Sequence, residues 1–264
     1  MPYVKQNFVN GNVLNASQLN HIEDGIVANE KNIIVGTGAG FHNSIYRGKN
    51  LGTSYTTAQQ NAVKNGTFDD MYIGDYWVIG GTNWVIAHFD YYYNIGNPSL
   101  KTHHIVVVPG NNFYNYAMNT TATVAGAYYG SDLRENGLNT WKTRFDTAFG
   151  NAHRLSNRVY FITVVDSTGV ATAAAWQDSD GCELMTEINV YGCNIRNKNF
   201  NYSTIETRQY SLFNLSPTSA TVGTYYWFQD IATSSAFANY GYYGSAFTNT
   251  ASSAIPVRPR FLLS

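Results

Sequence analysis

Three groups of residues carry side chains that could do chemistry, and the first is a possible calcium loop. Asp178 to Glu183 read DSDGCE, which places three carboxylates close together in the chain. A calcium loop of the EF-hand type spreads its oxygen ligands over about twelve residues and ends in Glu. This segment is shorter, so a solvated turn before a helix, with Glu183 in the first helical turn, is favoured over a metal site.

The second group is a pair of adjacent histidines, His103 and His104, at the start of a predicted strand. A structural zinc ion needs four ligands in tetrahedral reach. The sequence places no further Cys or His nearby, which favours histidines at a strand edge. We therefore expect no metal and no cofactor.

The third group consists of Asp69, Asp70, Asp75 and Asp90, which could supply the paired carboxylates of a glycosidase. Such pairs lie about 5 to 10 Å apart across a cleft, and sequence does not reveal that separation. Acidic turn residues are the alternative. The chain has no GxSxG nucleophile elbow and no Cys-His signature. We expect a protein that is not an enzyme, with a polysaccharide depolymerase as the open alternative.

A different chemistry, recognition by aromatic and amide side chains, is indicated near the C-terminus. The stretch from Tyr225 to Ser264 carries Tyr, Phe and Asn among Gly, Ala, Ser and Thr. Exposed clusters of this kind are contact surfaces for proteins or sugars. Packing of some of these side chains onto the sheet is the alternative. The predicted ligand-binding residues are Phe237, Asn239, Tyr240, Tyr242, Tyr243, Phe247 and Asn249.

Composition narrows the class of protein. Charged residues make up 12% of the 264 residues, about half the usual share of about 25%, while 44% are apolar and 21 are Tyr. The formal net charge of -1 and the lack of a basic cluster argue against a nucleic-acid partner. The sequence contains no run of about 18 apolar residues, so we expect no membrane insertion. Residues 1–12 lack the apolar region of a secretory signal, so we expect synthesis in the cytoplasm without a signal peptide.

The two cysteines, Cys182 and Cys193, flank a helix predicted over residues 183–191. Without an export signal, two free thiols are favoured. A disulfide bond between them is the alternative.

Residues 1–40 differ from the rest and predict an attachment and trimerisation helix with a hinge. Asn15 is a suitable N-cap and Gln18 stands at N3. A narrow apolar stripe at 3-4-3-4 spacing predicts a coiled-coil seam with one polar position that sets the register. Docking of the helix on its own domain is the alternative. Residues 36–40, GTGAG, follow a helix and not a strand, which favours a hinge over a nucleotide loop. The stripe consists of Leu19, Ile22, Ile26, Asn29 and Ile33.

Residues 41–264 predict an α+β domain with a largely antiparallel sheet, because helices and strands alternate without a strict βαβ repeat. Trp77, Trp84, Trp141 and Trp227 lie in apolar runs and are expected in the core. One predicted helix begins at a capping box formed by Thr56 and Gln59. Two further helices are predicted over residues 132–149 and 183–191. The predicted strands are a hairpin around Gly80-Gly81-Thr82 and residues 103–109, 158–165, 225–231 and 257–263.

The N-terminal sequence NGNVLNASQLNHIEDGI resembles the opening of many tail and baseplate proteins of phages that infect Gram-positive bacteria. The rest of the chain is similar to phage and prophage tail-tip proteins of the same hosts. The matching blocks are GTFDDMYIGDYW, NWVIAHFDYYY, MNTTATVAGAYYGSDL, ELMTEINVYG, RQYSLFNL, YYWFQDIATSSAFA and PVRPRFLL. The resemblance implies a homotrimeric receptor-binding protein of the virion, at the tail tip or baseplate. Its partners would be other tail proteins and a host cell-surface glycan, teichoic acid or protein. A purely structural tail component is a further alternative.

The C-terminal end also resembles C-type-lectin-like domains, including the ligand-binding domains of diversity-generating-retroelement proteins. In those domains the variable surface precedes the last strand, which here corresponds to Ser235 to Asn249. The resemblance also implies that residues 256–259, PVRP, form a structural clasp. The chain lacks the Glu-Pro-Asn, Gln-Pro-Asp and Trp-Asn-Asp triplets of calcium-dependent lectins, so recognition without calcium is expected.

Overall fold

The computed structural model describes residues 15–34, 38–199 and 205–264, with the side chains of residues 18 and 27–34 outside this description. The α-helices are α1 (Ala16–Ile34), α2 (Ala39–His42), α3 (Thr57–Lys64), α4 (Asn139–Phe149), α5 (Glu187–Tyr191) and α6 (Ser211–Leu215). A π-helical turn spans Leu133–Gly137, and 3-10 turns span Asn151–His153 and Pro217–Ala220.

The strands of the first half are β1 (Tyr76–Ile79), β2 (Thr82–Phe89), β3 (Ile105–Pro109), β4 (Asn115–Tyr116), β5 (Asn157–Val165) and β6 (Ala171–Ser179). Those of the second half are β7 (Cys182–Leu184), β8 (Tyr226–Ile231), β9 (Ala236–Tyr240), β10 (Ala246–Thr250), β11 (Ile255–Pro256) and β12 (Pro259–Leu263). The described strands pair antiparallel within their sheets. With 24% helix and 29% strand, the α+β prediction is confirmed.

The largest sheet has the strand order β1-β2-β3-β12-β7. Its first two strands form the predicted hairpin, in which Ile79 pairs with Thr82. Gly80 and Gly81 between them have φ values of 61° and 75°. Two successive residues with positive φ define the tight turn that matches the twist of a hairpin, and glycine adopts them without strain.

The core of the molecule forms where α4 packs on this sheet. All four predicted core tryptophans are fully buried. The ring centroid of Trp84 lies 5.9 Å from Trp141, 5.6 Å from Phe145 and 5.6 Å from Phe261. Trp141, Phe145 and Phe149 follow one another at intervals of four residues, which places these large side chains on the face of α4 that packs on the sheet. Gly150 ends the helix as predicted.

Arg258, just before β12, joins segments that are distant in the sequence. The side chain is buried, and its guanidinium donates to the carbonyl oxygens of Pro109 at 2.9 Å, Ala220 at 3.3 Å and Ser219 at 3.1 Å. It also lies 5.1 Å from the ring centroid of Tyr226. The fork of donors on one arginine thus satisfies several buried carbonyls together.

The prediction of one helix over residues 183–191 is wrong. Cys182–Leu184 is strand β7, which pairs with β12, and α5 begins only at Glu187. A capping box explains the later start, because Thr186 accepts from the backbone of Asn189 and the Asn189 side chain accepts from Thr186 N. Glu183 therefore lies in a strand and not in a helical turn.

Other boundaries differ less from the predictions. The helix predicted over residues 132–149 begins with the π-helical turn and becomes α-helical at Asn139. The capping box of Thr56 and Gln59 is present. The strand predicted over residues 103–109 begins at Ile105. Residues 36 and 37 of the predicted hinge lie outside the described residues, and Ala39 and Gly40 already belong to α2.

Candidate recognition surface

The three-stranded sheet β10-β9-β8 and its β9–β10 loop carry all the predicted ligand-binding residues, yet three of these residues are buried. Phe237, Asn239 and Tyr240 are at most 3% exposed. The expectation that they belong to an exposed cluster is wrong for these three. Strand β9 lies between β8 and β10, and every one of its side chains is covered. Small neighbours such as Ala236 and Ala238 indicate close packing here, and not a turn.

Tyr240 is the buried middle ring of a stack of three, in which Tyr226 is also buried and Tyr191 is half-buried. Its centroid lies 4.9 Å from that of Tyr226 and 5.7 Å from that of Tyr191, with interplanar angles of 6° and 9°. Its hydroxyl lies 2.7 Å from the hydroxyl of Thr221. Tyr240 therefore stabilises the sheet, since an aromatic ring gains most from such packing when water is excluded.

The exposed part of the set lies at the β9–β10 loop and on the edge strand β10. Tyr243 is 91% exposed, and Tyr242 and Phe247 are each 47% exposed. Asn249 is half-buried on β10. These four residues keep the role that the sequence predicts for them, as candidates for contact with a ligand.

Tyr225, which the sequence analysis placed in a closing strand, joins the exposed rings. Strand β8 begins one residue later, at Tyr226, and Tyr225 is half-buried. Its ring centroid lies 6.5 Å from that of Tyr242 and 6.0 Å from that of Phe247. Tyr242 in turn lies 5.0 Å from Tyr243. We call Tyr225, Tyr242, Tyr243 and Phe247 the aromatic surface.

The loop that presents this surface is held by its own backbone. Gly241 N donates to Ser245 O at 2.7 Å, and Gly244 N donates to Gly241 O at 3.0 Å. A Cβ atom on Gly241 would lie only 2.8 Å from Ser245 O. Only glycine fits at this position without a shift of the backbone. Gly241 is therefore needed for the loop to hold Tyr242 and Tyr243 in their observed positions.

The apolar stripe of α1 is also exposed where its side chains are described. Leu19 is 48% and Ile26 is 58% exposed, while Ile22 is half-buried. These positions lie on one helical face. The side chains of Asn29 and Ile33 lie outside the described residues. The coiled coil remains a prediction.

Of the acidic residues of the depolymerase alternative, Asp70 and Asp75 lie in ion pairs, and Asp69 accepts from the hydroxyl of Thr67 at 3.0 Å. Asp75 is fully buried and accepts from Arg47 at 2.6 Å. Asp70 accepts from Lys49 at 2.8 Å, and hydrogen bonds from Arg47 and Lys49 lower the pKa of Asp70. A catalytic acid of a glycosidase needs a raised pKa, so the shift of Asp70 is in the wrong direction for that role.

Asp90 and the two histidines form a local network. Asp90 lies 2.6 Å from His103 Nδ1 and accepts from the backbone N of His104 at 2.9 Å. The ring nitrogens of His104 lie 3.1 Å from Tyr92 N and 3.0 Å from Thr102 O. Burial lowers the pKa of His104 to about 4. Both nitrogens of this ring contact backbone groups, which gives His104 a structural role.

Each carboxylate of the DSDGCE segment lies against a cation. Asp178 lies 3.1 Å from Arg158, and Asp180 lies 3.0 Å from Lys142. Glu183 is buried, lies 2.9 Å from Arg134 and accepts from the hydroxyl of Tyr128 at 2.7 Å. Within the described ranges, no group of three or more His, Cys, Asp or Glu side chains could hold a metal ion. The expected solvated turn is thus a set of ion pairs.

Both cysteines are free thiols, Cys182 buried and Cys193 exposed. Among the described helices, none is long and apolar enough to cross a membrane. No protein-family model, curated protein or solved structure matches this chain.

Proposed function

We propose that this protein is a non-enzymatic receptor-binding protein of a phage tail tip, and that its aromatic surface contacts a saccharide, teichoic acid or protein of the host cell surface. The observation that carries the proposal is the cluster of four neighbouring rings, two on the β9–β10 loop, one on the edge strand β10 and one just before β8. Three of them are about half exposed or more, and the most exposed, Tyr243, stands at the loop tip. Large apolar rings gathered at a surface are typical of interaction sites.

The geometry of the aromatic surface suits reversible binding. Tyrosine rings offer a flat apolar face for stacking and a hydroxyl for hydrogen bonding, and few of their bonds rotate. The backbone hydrogen bonds of the 241–245 loop hold its ends, so little order has to be gained when a ligand binds. The sequence from Ile231 to Val257 has no charged residue, so contacts of the loop itself depend on ring faces, hydroxyls and amides.

A trimer would make such a surface effective, and we propose that α1 forms it. A weak site becomes useful when several linked copies engage one cell surface, because the second contact is then intramolecular. The exposed Leu19 and Ile26 would be covered by the same stripe of the other two copies. This assembly is also how the chain would be anchored among other tail proteins.

The trimer is tested by placing charge on the stripe. The double variant Ile22→Asp and Ile26→Asp should reduce the mass measured by light scattering from that of a trimer to that of a monomer, because two buried aspartates would repel within the seam. The matched control is Ser17→Asp with Asn20→Asp, which adds the same charge to the opposite face of α1 and should leave the mass unchanged. A monomeric wild-type protein, or an unaltered mass in the first variant, would contradict this assembly.

The binding role is tested with fluorescently labelled protein on a panel of Gram-positive cells and their extracted wall polymers. The triple variant Tyr242→Ala, Tyr243→Ala and Phe247→Ser should lose at least about tenfold in affinity, the equivalent of about 1.4 kcal/mol, while its unfolding midpoint stays near that of wild type. Tyr46→Ala, which removes a ring of similar exposure (46%) outside the aromatic surface, is the control. EDTA should not change the binding.

Two results would overturn this role. One is cell binding by the triple variant that equals that of the wild type. The other is release of new reducing ends from wall polysaccharide by the wild-type protein and not by an Asp70→Asn variant, which would establish the depolymerase.

A further inference from the structure

The part of the molecule that carries the aromatic surface is almost free of charge. From Gln209 to Val257 the chain has no Lys, Arg, His or Glu and a single Asp. That residue, Asp230, is only 7% exposed, so the outer side chains of β8, β9, β10 and their connecting loops are uncharged. Residues 105–131, which border the sheet through the pairing of β4 with β11, contain no charged residue either. A ligand at this surface meets no ionic partner from these segments.

The cation that bonds to β10 belongs to the other side of the sheet. Arg196 donates from Nε to Ala246 O at 3.3 Å, and from its backbone N to the carboxylate of Glu187 on α5. Helix α5 stacks a ring on Tyr240, with which Ala246 pairs. The next residue, Phe247, points to the opposite face of the strand. Among the described arginines, none lies over a ring of the aromatic surface.

The four rings form a row and not one flat platform. The ring centroid of Tyr243 lies 5.0 Å from that of Tyr242. Tyr225 continues the row, 6.5 Å from Tyr242 and 6.0 Å from Phe247. The interplanar angles along the row are 76°, 49° and 54°. Because no two neighbouring rings share a plane, one flat ligand ring can stack on only one of them. A chain of several linked rings, each turned relative to the last, can use the whole row.

An amide beside the row offers hydrogen bonds to a ligand. Asn249 follows Phe247 by two residues on β10 and so lies on the same face of the strand. It is half-buried, its side chain has no hydrogen-bond partner within the described residues, and its polar atoms keep contact with solvent. The amide both donates and accepts, and the exposed Tyr242 and Tyr243 add hydroxyls. Sugar hydroxyls, which also donate and accept, match this set.

A phosphate-bearing polymer such as a teichoic acid fits this surface poorly. Phosphate oxygens accept hydrogen bonds and are bound best by Arg or Lys. The face of an aromatic ring carries negative partial charge, so an anion placed over the row would be repelled. It would also lose water without gaining an ion pair. The C–H groups of a sugar ring carry the opposite partial charge and are attracted to the ring face.

From these observations we propose that the ligand of the aromatic surface is an uncharged polysaccharide, bound over several sugar units without an ion pair. The inference rests on the binding role proposed above and names the class of ligand for that role. The sugar rings would stack along the row, and their hydroxyls would bond to Asn249 and to the tyrosine hydroxyls. Affinity would come from many weak contacts along one chain.

The experiment compares two polymers from a Gram-positive strain that the full chain binds: wall polysaccharide freed of phosphate with hydrofluoric acid, and teichoic acid with its phosphate intact. In titration calorimetry the phosphate-free polysaccharide should bind at least about tenfold more tightly. Raising the salt concentration from about 0.05 M to about 0.5 M should change its affinity less than about twofold, because no ion pair is screened. A disaccharide from the same polymer should bind at least about tenfold more weakly, since it covers fewer rings.

Three variants locate the contacts, each checked for folding by circular dichroism. Asn249→Ala should weaken binding of the phosphate-free polysaccharide at least about fivefold, because hydrogen bonds to sugar hydroxyls are lost. The matched control is Thr248→Ala, which changes the neighbouring residue on the opposite face of β10 and should leave the affinity unchanged. Arg196→Gln removes the cation bonded to β10 and should also leave it unchanged.

The inference is overturned by tighter binding of teichoic acid, by a marked loss of affinity in Arg196→Gln or at high salt, or by wild-type affinity in Asn249→Ala. Loss of cell binding after protease treatment of the cells would also overturn it, because the receptor would then be a protein. The triple variant of the aromatic surface separates the two proposals. If it loses cell binding while the ligand proves anionic or a protein, the surface keeps its role and only the ligand class is wrong.

Discussion

The β8–β9–β10 sheet has an inner part, strands β8 and β9, and an outer part, the β9–β10 loop and strand β10. The two parts are built from the same residue types and have opposite roles. Tyr240 ends the central strand and is 3% exposed, whereas Tyr243, three residues later, is 91% exposed. Both are surrounded in sequence by Gly, Ala, Ser and Asn. The difference comes from strand position, because a central strand is covered by neighbours while a loop tip is not. A run rich in tyrosine therefore contains both core and contact residues.

The largest effect that separates the two parts is expected from Tyr240→Ala. Removing a buried aromatic ring costs about 3 to 5 kcal/mol, and here the ring stacks between Tyr226 and Tyr191. The free energy of unfolding, measured with urea, should fall by that amount. Tyr243→Ala is the matched control and should change it by less than about 0.5 kcal/mol. Equal effects in the two variants would remove the distinction between core and surface rings.

A second, smaller effect concerns Asp230 on β8, in the inner part. Burial and the nearby Glu187 raise the pKa of Asp230 to about 8, whereas an unfolded chain holds an aspartate near about 3.9. The folded state thus binds the proton more tightly, and the contribution of Asp230 to stability is complete below about pH 4 and lost as the pH rises through about 8.

The pH dependence is checked by urea unfolding between pH 4 and pH 9. The free energy of unfolding of the wild type should fall progressively across that range, most steeply between the two pKa values. In Asp230→Asn that part of the pH dependence should vanish. Between Ile231 and Val257, a range that contains the whole outer part, tyrosine is the one titratable residue type, so Tyr242→Ala should keep the wild-type pH profile. A profile unchanged by Asp230→Asn would contradict the assignment.

The smallest effect is expected at the junction of the two parts, from Gly241→Ala. The added Cβ would lie 2.8 Å from Ser245 O, so the loop must shift, at a cost of about 1 kcal/mol. Hydrogen exchange of the Gly241 to Ser245 amides should become faster, and cell binding should weaken because Tyr242 and Tyr243 are displaced. Ser245→Ala is the control, since it leaves the backbone hydrogen bonds in place. Unchanged exchange in Gly241→Ala would show that the loop tolerates a side chain.

Local patterns predicted the parts of the fold that local physics decides. The Gly80-Gly81 hairpin, the capping box of Thr56 and the apolar face of α4 follow from turn geometry, hydrogen bonds between near neighbours and helical periodicity. The burial of the four tryptophans follows from their apolar surroundings. These features need no knowledge of which strands pair.

Features that depend on distant pairing could not be predicted in this way. Phe237 and Asn239 are buried because β9 lies between β8 and β10, and Tyr225 joins the aromatic surface only through contacts across the sheet. Residues 182–184 form a strand because β12 supplies its partner.

The central place of β12 has a consequence for the kinetics of folding. This strand pairs with β3 on one side and β7 on the other, and the Arg258 beside it bonds to Pro109, 149 residues earlier in the chain. The main sheet cannot close until the segment after Arg258 has been synthesised. Contacts of such long sequence separation slow the rate-limiting step. Nascent chains that stop before β12 should expose the edges of β3 and β7 and need protection against aggregation.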